Sequence, residues 1–152
     1  MAVAGSSPSM AFNRRTVMTV LARAEAGELR PAIAGFDADP VEDLRRPETG
    51  LVMLRGRIGG GGAPFNFGEA TVTRASIRLA TGEIGHGWRL GSDGEAARLQ
   101  AIVDALWQRD PEAVERAIVM QVAARLSAED ESLEAETAAT RVNFFTMVRG
   151  ED

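Results

Sequence analysis

Hydrophobic and polar positions alternate most cleanly in the middle of the chain. Residues 69–80 (EATVTRASIRLA) place Thr71, Thr73, Ala75, Ile77 and Leu79 on one side and Arg74, Ser76 and Arg78 on the other. A period of two predicts a strand with one buried face. A tight turn at Thr81 and Gly82 leads into residues 83–90, where Ile84, His86, Trp88 and Leu90 share a side and Gly85, Gly87 and Arg89 share the other. Upstream, residues 51–58 predict a further strand, with Val52, Leu54 and Ile58 opposite Leu51, Met53, Arg55 and Arg57. Residues 41–46 read as a short extended segment ended by Pro47. The glycines at 59–62 interrupt regular structure, and residues 63–68 (APFNFG) read as a loop. The expected sheet is an antiparallel meander with one buried face, which includes the Ile84 side of its last strand.

On either side the period changes to that of a helix. Val17, Val20, Leu21 and Ala24 predict a helix over residues 13–26 ending at Gly27, and residues 28–34 predict a short second one. Ser92-Asp93-Gly94-Glu95 has the form of a capping box. The helix it opens should run to Arg109 and lay Ala96, Leu99, Ile102, Val103 and Leu106 on the sheet. Asp110-Pro111 caps and opens another helix, with proline at its first position. Ser127 with Asp130 suggests a third cap, followed by an acidic, solvated face over residues 129–136. The fold expected is α+β, an antiparallel sheet covered by N- and C-terminal helices. A single domain over residues 13–152 follows a disordered start at residues 1–12. No internal repeat or linker divides it.

Composition narrows the chemistry. Cysteine is absent, so disulfides, thiolate metal sites and a cysteine nucleophile are excluded. All seventeen basic residues are arginine, which removes any Schiff-base or phosphate-loop lysine. Every basic contact is therefore a planar guanidinium suited to carboxylate or phosphate. The net charge of −5 argues against general nucleic-acid affinity. No apolar run approaches the ~20 residues of a membrane helix, and the first ten residues lack the features of a signal peptide.

Candidate chemistry is sparse. Arg74, Arg78 and Arg89 are expected on one sheet face, joined by Arg55 and Arg57. Two readings fit them: a docking face for a phosphate ligand or acidic partner, or solvated arginines paired with the chain's own carboxylates. The glycine run lacks the G-K-[ST] ending of a phosphate loop and reads as a hairpin loop. His86, the sole imidazole, alternates with apolar residues and reads as a buried, hydrogen-bonded structural histidine. Glu112 with Glu115, and Asp130 with Glu134, sit at helical spacing without a pocket to raise their pKa values. No catalytic residue and no metal ligand set is assigned. Phe144, Phe145, Met147 and Val148 make the segment at 141–150 strongly apolar, and it reads as a subunit interface as well as part of the fold.

The succession ETGLV, GGGG, GEATVTRASIRL, TGEIGHGW and RVNFFTMVRG resembles the PhnG family, the small G subunit of the bacterial carbon–phosphorus lyase system. The resemblance runs over residues 13–150. It implies a cytoplasmic, accessory role in a complex with H, I and J subunits, with an L subunit joining functionally. In the implied reaction a phosphonate displaces adenine from ATP at the ribose anomeric carbon. ATP and magnesium would then be used by the complex, and no cofactor would be bound by this chain. The resemblance carries no catalytic residue onto this sequence. Without it, the residues fit a small stand-alone arginine-rich enzyme or an anion-sensing module acting on a phosphorylated ligand.

Overall fold

Strand-forming residues at the centre of the chain build a three-stranded antiparallel meander in the order β1-β2-β3. The computed structural model describes residues 12–38 and 40–140. The expected interface residues Phe144, Phe145, Met147 and Val148, and nearly all of the expected disordered start, lie outside that range. β1 (Val41–Arg57) and β2 (Pro64–Leu79) form one long hairpin, and β3 (Ile84–Leu90) pairs only with the lower part of β2, from Val72↔Leu90 to Arg78↔Ile84. The hairpin therefore outgrows the sheet. Its upper part is a two-stranded arm closed by a turn at Ile58–Gly60, where Gly59 and Gly60 take positive φ.

Two expectations about these strands change. Pro47 does not end the first extended segment, because β1 runs through it at one of the register irregularities between Asp43 and Glu48. An edge strand tolerates proline there because no ladder bond is lost. APFNFG is strand from Pro64 onward rather than loop, since pairing with β1 extends to Arg57↔Pro64.

Helix α3 (Gly94–Arg109) lies against this sheet, capped by Asp93, whose carboxylate accepts from the Ala96 N–H at 2.9 Å. The capping residue is one later than the expected Ser92. On its far side α3 packs against α1 (Arg14–Leu21), α2 (Ala26–Ile33) and α4 (Pro111–Val114). A π-helical turn (Glu115–Val119) joins α4 to α5 (Met120–Ala139). The core runs through these layers: Ile77 and Leu79 from the sheet, Val103 and Leu106 from α3, Val17, Leu21 and Leu29 from the N-terminal helices, and Ile118 and Val122 behind. Each such side chain contributes ~1.5–3 kcal/mol on burial.

Two helix boundaries also differ from expectation. The N-terminal helix breaks before Gly27, because Glu25 and Glu28 form a reciprocal capping box that starts α2 inside the expected first helix. Ser127 does not cap a third helix. It lies inside α5 with its hydroxyl directed to Glu131 at 3.3 Å. From Ser127 onward α5 is exposed on all sides, so its acidic part projects beyond the domain.

Candidate functional site

β2 alternates as its residues predict. Thr73, Ala75, Ile77 and Leu79 are buried, and Arg74 and Arg78 are exposed on the open side. β3 reverses the expected sides. Gly85 and Gly87 are buried, while Ile84, His86, Trp88 and Leu90 face solvent. The cause is the approach of α3. A Cβ at Gly85 would lie 1.8 Å from the Ala101 carbonyl oxygen, and one at Gly87 would lie 1.9 Å from that of Ala97. Only glycine lets the helix sit this close, so the apolar alternate residues are turned outward.

This reversal separates the arginines. Arg89 pairs with Thr73 across the ladder and lies on the helix side, not with Arg74 and Arg78. Its Nη2 donates to the Ala24 carbonyl at 2.7 Å, while Nε and Nη1 are buried without a partner among the described residues. The register step at Leu54 and Arg55 inserts Phe67 into β2, so β1 keeps its alternation and Arg55 and Arg57 lie on the side of Leu51 and Met53. They pair with Asn66 and Pro64, beyond that extra residue, and do not share the open side with Arg74 and Arg78. Of the five singled-out arginines, Arg74 and Arg78 share the open face, and Arg55, Arg57 and Arg89 do not.

The open face is partly self-neutralised. Arg74 contacts Glu48 at 3.2 Å, Arg45 reaches the same carboxylate at 2.8 Å, and Arg78 meets Glu42 at 3.2 Å. The Arg45 hydrogen bond, opposed by slight desolvation and aided by Arg74, holds the Glu48 carboxyl below its ordinary value. Further up the arm, Arg57 donates to the Gly62 carbonyl at 3.0 Å. Glu48, Gly50, Val52, Val72, Arg74 and Trp88 line a shallow open cleft of about 260 Å³. That is below the ~300–1,000 Å³ common for small-molecule sites. Among the described residues no group of three His, Cys, Asp or Glu side chains could hold a metal.

What the face offers instead is apolar surface. Trp88 is 49% exposed and Leu90 74%. On the arm's helix side, Leu51 and Met53 pair with Thr71 and Glu69, and on the opposite side Phe65 pairs with Gly56. The Phe65 and Phe67 rings lie 6.1 Å apart over Gly56, which leaves room for Phe67. All four apolar side chains, two on each side of the arm, stand in solvent. An exposed patch of this kind marks an interaction site.

His86 is exposed rather than buried. Its Nδ1 shares a 2.9 Å hydrogen bond with the Ser76 hydroxyl. Its backbone matters more, because its N–H donates to Oδ2 of Asp104 at 2.9 Å. Asp104 is fully buried and also accepts from Arg14 Nε at 2.9 Å and Nη2 at 2.7 Å. That hydrogen bond, opposed by desolvation, raises the Arg14 pKa. Sequence reasoning missed this anchor. Asp104 sits among apolar residues of α3, and its partner lies ninety positions away in the chain.

Two comparisons with known proteins bear on this surface. A family model described as "Phosphonate metabolism protein PhnG" matches residues 12–150. The chain is also 61% identical, over 91% of its length and 90% of the relative's, to the "Alpha-D-ribose 1-methylphosphonate 5-triphosphate synthase subunit PhnG" of Rhizobium meliloti (strain 1021).

Proposed function

The chain belongs to the PhnG family of phosphonate metabolism proteins, and we propose that it is an accessory subunit of a cytoplasmic phosphonate-activating synthase. The relative's name supplies the reaction class: formation of an α-D-ribose 1-methylphosphonate 5-triphosphate. In the proposed reaction the complex transfers the ribose triphosphate moiety of ATP to a phosphonate and releases adenine. ATP and magnesium act in the complex, with none held by this chain. The proposed partners are the H, I and J subunits, with an L subunit joining functionally.

The observation that carries the accessory role is the surface. Leu51, Met53, Ile58, Phe65, Phe67, Trp88 and Leu90 are exposed together on and beside one arm, a pattern suited to protein contact rather than to enclosing a substrate. Arg74 and Arg78 are already met by carboxylates, so they favour a polar rim over an anion pocket. Arg55 and Arg57 at the arm tip are the better placed of the arginines to meet an acidic group on a partner. A stand-alone enzyme or anion sensor would need a more enclosed site than the clefts around Trp88 and the arm tip.

Adenine release from ATP and methylphosphonate tests this reading. The purified chain alone should give none, and adding the partner subunits should restore it. Turnover by the chain alone would assign the chemistry here instead.

A further inference from the structure

Beyond β3 the β1–β2 hairpin continues as an arm two strands wide, and apolar side chains stand on both of its faces. Leu51 and Met53 pair with Thr71 and Glu69 on the helix side. Alternation carries Arg55 and Arg57 onto that same side, because the added residue at the register step is in β2. Gly56 faces the other way. Phe65 pairs with it, and a Cβ there would lie 3.1 Å from the Phe67 ring, so both phenylalanines stand opposite the arginines. Met53 on one face and Phe67 on the other are each 58% exposed. A two-stranded ribbon has no interior, so neither face can bury the other.

We propose that the arm inserts into a cleft of one partner subunit and is gripped on both faces. The wall against Phe65 and Phe67 is apolar, and the wall against Leu51, Met53, Arg55 and Arg57 carries carboxylates. This rests on the accessory-subunit reading and adds the shape and charge of the site that receives the chain. A flat docking surface would cover one face and leave the other in water. Charge selects the occupant. Arg57 donates to the Gly62 carbonyl, and among the described residues no carboxylate lies within ion-pair distance of Arg55 or Arg57. A guanidinium taken out of water is stable only with an anionic partner. Residues 1–11 and 141–150 of this chain contain no Asp or Glu to supply one. The acidic part of α5 in a second copy is a single helix whose one large apolar side chain is Leu133, so it could cover one face at most. A two-walled, acidic-lipped cleft in a different protein meets both requirements.

Met53→Cys and Phe67→Cys each put one thiol on one face of a chain that has none of its own. Each variant is coupled to a benzophenone maleimide, assembled with the partner subunits and irradiated. Both should cross-link to the same subunit, so that the 16.2 kDa chain shifts by that subunit's mass. Arg55→Glu combined with Arg57→Glu should weaken binding in co-purification by ~tenfold or more, and Arg55→Lys combined with Arg57→Lys by much less. The insertion is overturned by cross-links from one face only or from neither, by links to two different subunits, by a link to a second copy of this chain, or by binding that charge reversal leaves unchanged. Failure of the unmodified chain to co-purify with any synthase subunit would overturn the accessory reading itself, and the insertion with it.

Discussion

At its base the β1–β2 hairpin sets Ala75, Ile77 and Leu79 against α3. Further along the same two strands Leu51 and Met53 on that side, and Phe65 and Phe67 on the other, are exposed. The residue chemistry hardly differs between the two regions. What differs is the cover, because α3 and β3 stop where the arm begins. At the base, burial and the ladder to β3 stabilise the strands together. On the arm, the ladder between β1 and β2 is all that remains, and an isolated two-stranded hairpin is marginal in water. Stability should therefore fall from base to tip, as local unfolding energies do in many domains. On the proposed function, the arm is the part of this fold that another protein surface would complete.

The comparison breaks most sharply at glycine. Gly87→Val would drive a side chain into the Ala97 carbonyl, so we expect a loss of about 4 kcal/mol or more, or failure to fold. Gly68→Val on the arm meets nothing within 4 Å and should change stability by no more than ~0.5 kcal/mol. Thermal unfolding of both variants checks the contrast. Leu51→Ser combined with Phe67→Ser should leave the melting of the isolated chain nearly unchanged. In the complex it should weaken binding by ~1.5–3 kcal/mol for each anchor that becomes fully buried. Co-purification with the partner subunits reads that loss, and retention of full affinity would remove these residues from the interface.

Smaller effects belong to the base. Asp104→Ala strands the Arg14 guanidinium and leaves the His86 N–H without its acceptor, for ~1–3 kcal/mol of unfolding free energy. Arg125→Ala should cost ~1 kcal/mol near neutral pH, because it releases Glu28, Glu129 and the Arg23 carbonyl. The Arg125 hydrogen bond, opposed by desolvation, holds the Glu28 carboxyl below its ordinary value of 4.5. A depressed carboxylate contributes stability that is present above the unfolded pKa and lost as pH falls through the folded one. The wild-type advantage over Arg125→Ala should accordingly shrink below about pH 4.5 and vanish in stronger acid, which paired melting curves would show.

Much of this was legible in the residues. Alternation placed the lower part of β2 correctly because Ala75, Ile77 and Leu79 are buried on one side, and Asp110-Pro111 opened α4 because both cap chemistry and proline geometry act locally. The failures share a physical origin. Ile84, Trp88 and Leu90 look like a core face, yet the face that packs on α3 is the one with Gly85 and Gly87, where close backbone approach replaces side-chain volume. Arg89 was misplaced by the same reversal. APFNFG read as a loop because its aromatic residues have no covering element in this chain, although they pair in register with β1. The Arg14–Asp104 anchor joins positions too distant for any local pattern to reveal. Arg74 and Arg78 on the open face were foreseeable, but their partial neutralisation by Glu48 and Glu42 depends on the register of β1.

Amide hydrogen exchange, followed along β1 and β2 in the isolated chain and in the assembled complex, tests the contrast between base and arm most directly. The account predicts strong protection at residues 72–79 in both states. It predicts rapid exchange at residues 50–58 and 64–70 in the isolated chain, slowing markedly on assembly. An arm already as protected as the base in the isolated chain would contradict the account, as would an arm whose exchange is unchanged in the complex.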